Sequence, residues 1–134
     1  MGAAMAPAAL DTLITHLTDT GRKPSYYDAI ITGDLGHVGK DILIELAQTK
    51  GYNIKSNYND CGVLIFDKET QDTHSGGSGC ACCGTVFSGY LFNMLQTKKY
   101  KKILLIATGA LMNATSSQQG ESIPGIAHAI SIEV

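Results

Sequence analysis

The run Ile103-Leu104-Leu105-Ile106-Ala107 carries no polar residue and follows a lysine-rich stretch from Lys98 to Lys102. An unbroken apolar run of this length belongs to a strand covered on both faces. Helices must then lie on each side of a sheet, which points the chain to layered α/β architectures. The other segments fit that demand. Ala8 to Thr20 predicts a helix with Leu10, Leu13, Ile14 and Leu17 on one side, Pro7 in its first turn and Gly21 as its stop. Tyr27 to Thr32 reads as a short strand and Gly33 to His37 as the loop that leaves it. Val38 to Lys50 predicts a second helix with Val38, Ile42, Leu43 and Leu46 inward, closed by Gly51.

Between Tyr52 and Asp72 the pattern is weaker. Asn53, Asn57, Asn59 and Asp60 are turn formers, while Val63 to Phe66 fits a short strand or one turn of buried helix. A third helix is marked by Val86, Phe87, Tyr90, Leu91, Met94 and Leu95. The alternation of Ile126, His128, Ile130, Ile132 and Val134 predicts an edge strand antiparallel to the apolar one. The first helix has no strand before it, so a βαβ unit reads as truncated and the chain as part of a larger fold.

Composition narrows the function classes. The chain has 134 residues, enough for one domain or part of one, with 16% charged residues and a net charge of −2. No basic patch suits nucleic acid. No segment has the roughly 18 apolar residues a spanning helix needs. Met1 to Pro7 lacks the basic start of a signal peptide. Cys80, Cys82 and Cys83 crowd one turn with Cys61 far upstream, without a second metal-ligand pair, so free thiols in a reducing compartment are expected and no metal site.

The run His74-Ser75-Gly76-Gly77-Ser78-Gly79-Cys80-Ala81-Cys82-Cys83 carries the most chemistry. A glycine-rich turn opening a helix offers free amide N–H groups to an anion and makes a thiol there easier to ionise. A tight loop ending in buried small residues is the alternative reading.

In this order the elements resemble the C-terminal half of thiolase-fold proteins, and within them the stage V sporulation protein AD family. The residues that carry the resemblance are Gly2 to Ala9, Asp60-Cys61-Gly62, Asp72 to Cys82, Ala107 to Leu111, and Ser116 to Pro124. It spans nearly the whole chain and implies a mixed sheet with flanking helices, residues 1–134 forming one half of an α/β/α/β/α sandwich whose N-terminal half is absent. Ketoacyl synthases of that fold use a histidine and an asparagine from this half as oxyanion donors. Counting from Asp28 and from His74 puts Gly33 and Gly77 at those positions. The resemblance therefore implies no catalytic residue and no enzyme. His37 and His74 are the candidate substitutes, each weighed against a structural role; His16 and His128 read as structural or surface residues, and Cys80 as packing beside the pocket.

The resemblance further implies that the cleft, enlarged by the two glycines, takes dipicolinic acid, alone or with calcium, without another cofactor. Gly76, Gly77, Ser78, Gly79 and Cys80 are the ligand-binding candidates. The polar cluster Gln118, Gln119, Glu121 and Ser122 reads either as functional or as a surface hairpin loop. The expected role is dipicolinate transport in sporulation and germination. The expected partners are other membrane-associated sporulation transport proteins and a second copy in a homodimer. The expected location is the spore, peripheral on its inner membrane after cytoplasmic synthesis. The competing readings are a degenerate acyltransferase using Cys80 or an N-terminal cysteine, and a structural subunit with a vestigial pocket.

Overall fold

β1 (Ala29–Thr32) is buried at all four residues because it lies inside the sheet with a neighbour on each side. The computed structural model describes residues 1–111 and 113–134. β1 pairs in parallel with β2 (Tyr58–Asp60) and with β3 (Lys102–Ala110). β4 (Gly125–Glu133) runs antiparallel to β3, giving the order β2-β1-β3-β4. The apolar run is thus an interior strand, and the alternating C-terminal segment an edge strand, as their patterns require.

The chain steps from β1 to β2 in one direction and then back past β1 to β3. Right-handed crossovers then place the connecting helices on opposite faces. On one face α1 (Gly2–Thr20) and α2 (Gly36–Thr49) bury Met5, Ala9, Leu13, Leu17, Leu43 and Ala47 against Ile30, Leu104 and Ile106. On the other, α3 (Cys61–Leu64) and a helical stretch from Cys82 to Gln96 bury Cys61, Val86, Leu91 and Leu95 against Ala29, Ile31, Ile103 and Leu105. That stretch comprises α4 (Cys82–Val86), a π-helical turn (Phe87–Leu91) and α5 (Phe92–Gln96). The wider turn absorbs the five-residue step from Val86 to Leu91 and keeps both side chains inward.

Several elements differ from the expectation. α1 begins at Gly2, not Ala8, and holds Pro7 in its interior on an exposed side. α2 is turned so that Gly36, Gly39, Leu43 and Ala47 face inward, leaving Val38 54% exposed. The cause is backbone contact: a Cβ on Gly39 would stand 2.9 Å from the Gly2 Cα, so α1 and α2 meet through glycines. Tyr58–Asp60 forms a strand where turn residues suggested none. Of the two readings for Val63 to Phe66 the helical one holds, since Val63 and Leu64 belong to the turn α3. The β3–β4 connection holds a short helix, α6 (Ala114–Gln118), and exposes Gln118, Gln119, Glu121 and Ser122, in line with the surface-loop reading.

Candidate functional site at the strand ends

Because β1, β2 and β3 are parallel, their carboxyl ends fall on one edge of the sheet, where open α/β folds place their ligands. Asp60 closes β2 there and caps α3. Its side chain is fully buried. It accepts hydrogen bonds from the Thr32 hydroxyl (2.6 Å) and from the amides of Leu35, Gly36 and Gly62 (2.9 Å each). With the Thr32 proton given to Asp60, the Tyr58 hydroxyl donates to Thr32 at 2.7 Å. Burial pushes the Asp60 carboxyl above the ordinary aspartate range, while these donors pull it back. Asp60 thereby fastens the loop after β1 to the start of α3.

Asp34 does the same one strand further on. Its carboxylate accepts from the Thr108 hydroxyl (2.8 Å), the Gly79 amide (2.9 Å) and the Ser78 hydroxyl (3.3 Å). Its own amide donates back to Thr108 at 3.0 Å. The glycine-rich loop therefore does meet an anion, and that anion is a side chain of the same protein. The other loop amides are also turned inward: Gly76 donates to Thr73 and Gly77 to Gly62, at 2.9 and 2.6 Å. This corrects the expectation that Gly76, Gly77 and Gly79 present their N–H groups to a ligand.

The loop nonetheless lines a cleft. Gly77, Ser78, Gly79, Cys80, Ala81, Cys82, Ile65, Phe66 and Thr85 enclose about 340 Å³ of mostly apolar character. Four of the five candidate residues are on its wall. Gly76 is not; it lies beneath, at φ 100° with its backbone against Gly62, a fit that excludes a side chain. His37 and His74 are also outside the lining. The His37 amide donates to Ser75, and the His74 ring is exposed beside Asp72 at 2.8 Å. A smaller cavity, about 180 Å³, lies near the amino ends of β1 and β2 among Asp28, Asn57, Tyr90 and Tyr100, and contains none of the candidates.

All four cysteines are free thiols. Cys82 is pushed up to about 11 by burial, with Asp60 and Asp34 adding to the effect, so the expectation of an easily ionised thiol fails there. Cys83 is pulled below the ordinary thiol value by a hydrogen bond from Cys61, which is itself pushed up. Cys80 is exposed on the cleft wall instead of packed. Among the described residues no cluster of three or more His, Cys, Asp or Glu side chains is arranged to hold a metal ion.

Gly33 and Gly77 do not enlarge the cleft. A Cβ on Gly33 would stand 2.8 Å from the Thr108 amide nitrogen, and one on Gly77 2.5 Å from the Ile65 Cγ2 and 3.2 Å from Phe66. The space is filled by Thr108, Ile65 and Phe66.

Asp34 and Thr32 were not candidates from the sequence; Asp60 entered as a turn former and, with Thr108, among the residues that carry the resemblance. Their signal is a polar residue within two positions of a glycine where each apolar or paired segment stops: Thr32-Gly33-Asp34, Asp60-Cys61-Gly62 and Thr108-Gly109. The arrangement defines an α/β protein with a mixed sheet, its strand-end loops locked by two buried carboxylates around a small apolar-walled cleft. A model of the family described as stage V sporulation protein AD matches residues 1–133. The stage V sporulation protein AD of Bacillus subtilis (strain 168) is 43% identical over 133 residues, covering 99% of this chain and 39% of the relative. The chain belongs to the stage V sporulation protein AD family, and so to a family of sporulation proteins. It spans about two fifths of that relative's length, 39%.

Proposed function

We propose that this chain is part of a non-catalytic binding protein that takes dipicolinate, as its calcium complex, in the cleft bounded by Gly77 to Cys82. The observation that carries the reading is the coincidence of that cleft with Gly77, Ser78, Gly79 and Cys80. Ile65, Phe66, Ala81 and Thr85 offer walls for a flat aromatic ring. No lysine, arginine or histidine lines the cleft, and Asp34 stands behind it on the Gly79 amide. A bare dianion meets an unfavourable field there, and a calcium ion arriving with the ligand offsets it. The absence of side chains at Gly33 and Gly77, and of room for them, supports a role without acyl-transfer chemistry.

In the same reading the protein works with membrane-associated transport proteins at the inner spore membrane during sporulation and germination. Attachment is through partners; no helix among the described residues is long and apolar enough to cross a membrane. The test is calorimetric titration of dipicolinate, with and without calcium, into a protein of the relative's full length that carries these residues. The expected result is saturable heat that tightens when calcium is present. No saturable heat in either arm overturns the reading. One observation favours a second reading, a structural subunit with a vestigial pocket: the Gly76, Gly77 and Gly79 amides are already bonded within the protein.

A further inference from the structure

Two of the four thiols take no part in the cleft. Its wall holds Cys80 and Cys82, and neither Cys61 nor Cys83. Cys61 is the first residue of α3 and Cys83 the second of α4. The Gly77 amide donates to the Gly62 carbonyl at 2.6 Å, which lays the glycine-rich loop across the first turn of α3 and brings the start of α4 beside it. Both cysteines then pack in the cluster built on Ala29, Ile31, Ile103 and Leu105, and the Cys61 thiol donates a hydrogen bond to the Cys83 sulfur. Cys61 is fully buried, whereas Cys83 keeps part of its surface in solvent. Cys82 adjoins Cys83 in the chain, where disulfide geometry is hard to reach. Cys61 is therefore the partner that the fold offers Cys83.

We propose that Cys61 and Cys83 form an oxidation site, at which a hydroperoxide joins them in a disulfide that staples α3 to α4. With hydrogen peroxide, the Cys83 thiolate attacks one peroxide oxygen. The S–O bond forms, the O–O bond breaks, and the departing hydroxide takes up the Cys83 proton as water. The Cys61 sulfur then attacks the Cys83 sulfur from the position its hydrogen bond already gives it. The S–S bond forms, the S–O bond breaks, and the second hydroxide leaves with the Cys61 proton. Two thiols lose two electrons and two protons, and the peroxide is reduced to two waters. The accessible Cys83 is the group attacked first and the buried Cys61 the one that resolves it. The staple bears on the cleft, because α3 runs directly into Ile65 and Phe66 while α4 carries Cys82 and Thr85. Two separate elements build that wall, and the bond fixes one to the other. This site is independent of what the cleft binds.

Thiol counting and peptide mapping test the pair. In a chain carrying Cys80→Ser, which removes the exposed thiol, stoichiometric hydrogen peroxide is expected to lower the thiols titrated in denaturant from three to one. Cleavage after lysine should then release Ser56–Lys68 linked to Glu69–Lys98, a pair that dithiothreitol separates. The linked pair is expected again when Cys82→Ser is added, and is expected to vanish with Cys61→Ser or Cys83→Ser. Cys83 is only partly buried, so its serine variant is the one that keeps the fold, checked by its thermal melt. Closing a loop of about 20 residues restricts the unfolded chain. The oxidised chain should therefore denature at higher urea than the reduced one, a shift that dithiothreitol reverses and Cys83→Ser abolishes. A link that survives Cys83→Ser assigns the partner to Cys82 and overturns the proposal. So does a count that stays at three, Cys83 carried to its sulfinic acid without a link, or a link that leaves the urea midpoint unmoved.

Discussion

Thr108 and Asp34 hold each other by two hydrogen bonds, the hydroxyl donating to the carboxylate at 2.8 Å and accepting from the Asp34 amide at 3.0 Å. The pair ties the end of β3 to the loop after β1, and Asp34 then carries the glycine-rich loop through Gly79. Thr108→Val keeps the shape and removes both bonds. The expected cost is about 1–3 kcal/mol, read from urea denaturation, with Thr108→Ser close to the parent. A valine variant as stable as the parent contradicts this role.

Asp60 carries more. Asp60→Ala leaves the buried amides of Leu35, Gly36 and Gly62 without their acceptor. The loss is expected to reach about 3–5 kcal/mol, a large part of what a domain of ordinary stability has. Circular dichroism should report a chain that is largely unfolded or melts far lower. A loss below about 1 kcal/mol, as for an ordinary net hydrogen bond, would show that these amides find other partners.

The two carboxylates were hard to see because nothing periodic marks them. Hydrophobic spacing finds the side chains that fill a core, and it placed α1, the interior strand β3 and the edge strand β4. It missed β2, three residues of Tyr-Asn-Asp that become a strand only through their register with Ile30, Ile31 and Thr32. It also misjudged the face of α2, since counting apolar side chains favours Val38, whereas close backbone contact with Gly2 selects Gly39. The cleft was legible through its glycines. What the loop amides bind was not, because Asp34 lies 45 residues before Gly79.

Acid is expected to loosen the seam between α1 and the turn before β1. Tyr27 is buried and its hydroxyl accepts from Arg22 at 2.9 Å, so its own proton goes to His16 Nε2 at 2.5 Å. Burial, then the Arg22 charge, hold the His16 imidazole below its ordinary value, with Asp19 opposing. The fold therefore favours neutral His16. Its contribution is complete above the unfolded value of about 6.5 and is lost as pH falls through the lower folded value. Denaturation midpoints measured from pH 8 to pH 5 should decline below about 6.5, and His16→Asn should flatten that decline. A parent with no decline across this interval contradicts the assignment.

No condensing or thiolytic turnover is expected with acyl-CoA and malonyl carriers. On the proposed reading Gly33 and Gly77 stand where a transferase would hold its oxyanion donors, and losing even one such donor typically costs a factor of about 10² to 10³ in rate. Mass spectrometry after incubation should find no acylated cysteine. A stoichiometric acyl adduct on Cys80, the exposed thiol of the cleft, would restore the transferase reading.

Thr85 decides whether the cleft is the binding site. It lies on the cleft wall, exposed, in α4, unlike Gly77, whose Cβ would crowd Ile65. Thr85→Phe should occupy the space of the ligand ring while leaving the melt unchanged. The direct measurement is calorimetric titration of calcium dipicolinate into the parent and the Thr85→Phe protein, both of the relative's full length. The account predicts saturable binding by the parent and at least tenfold weaker binding by the variant, about 1.4 kcal/mol. Equal affinity in two equally stable proteins would place the ligand elsewhere and contradict it.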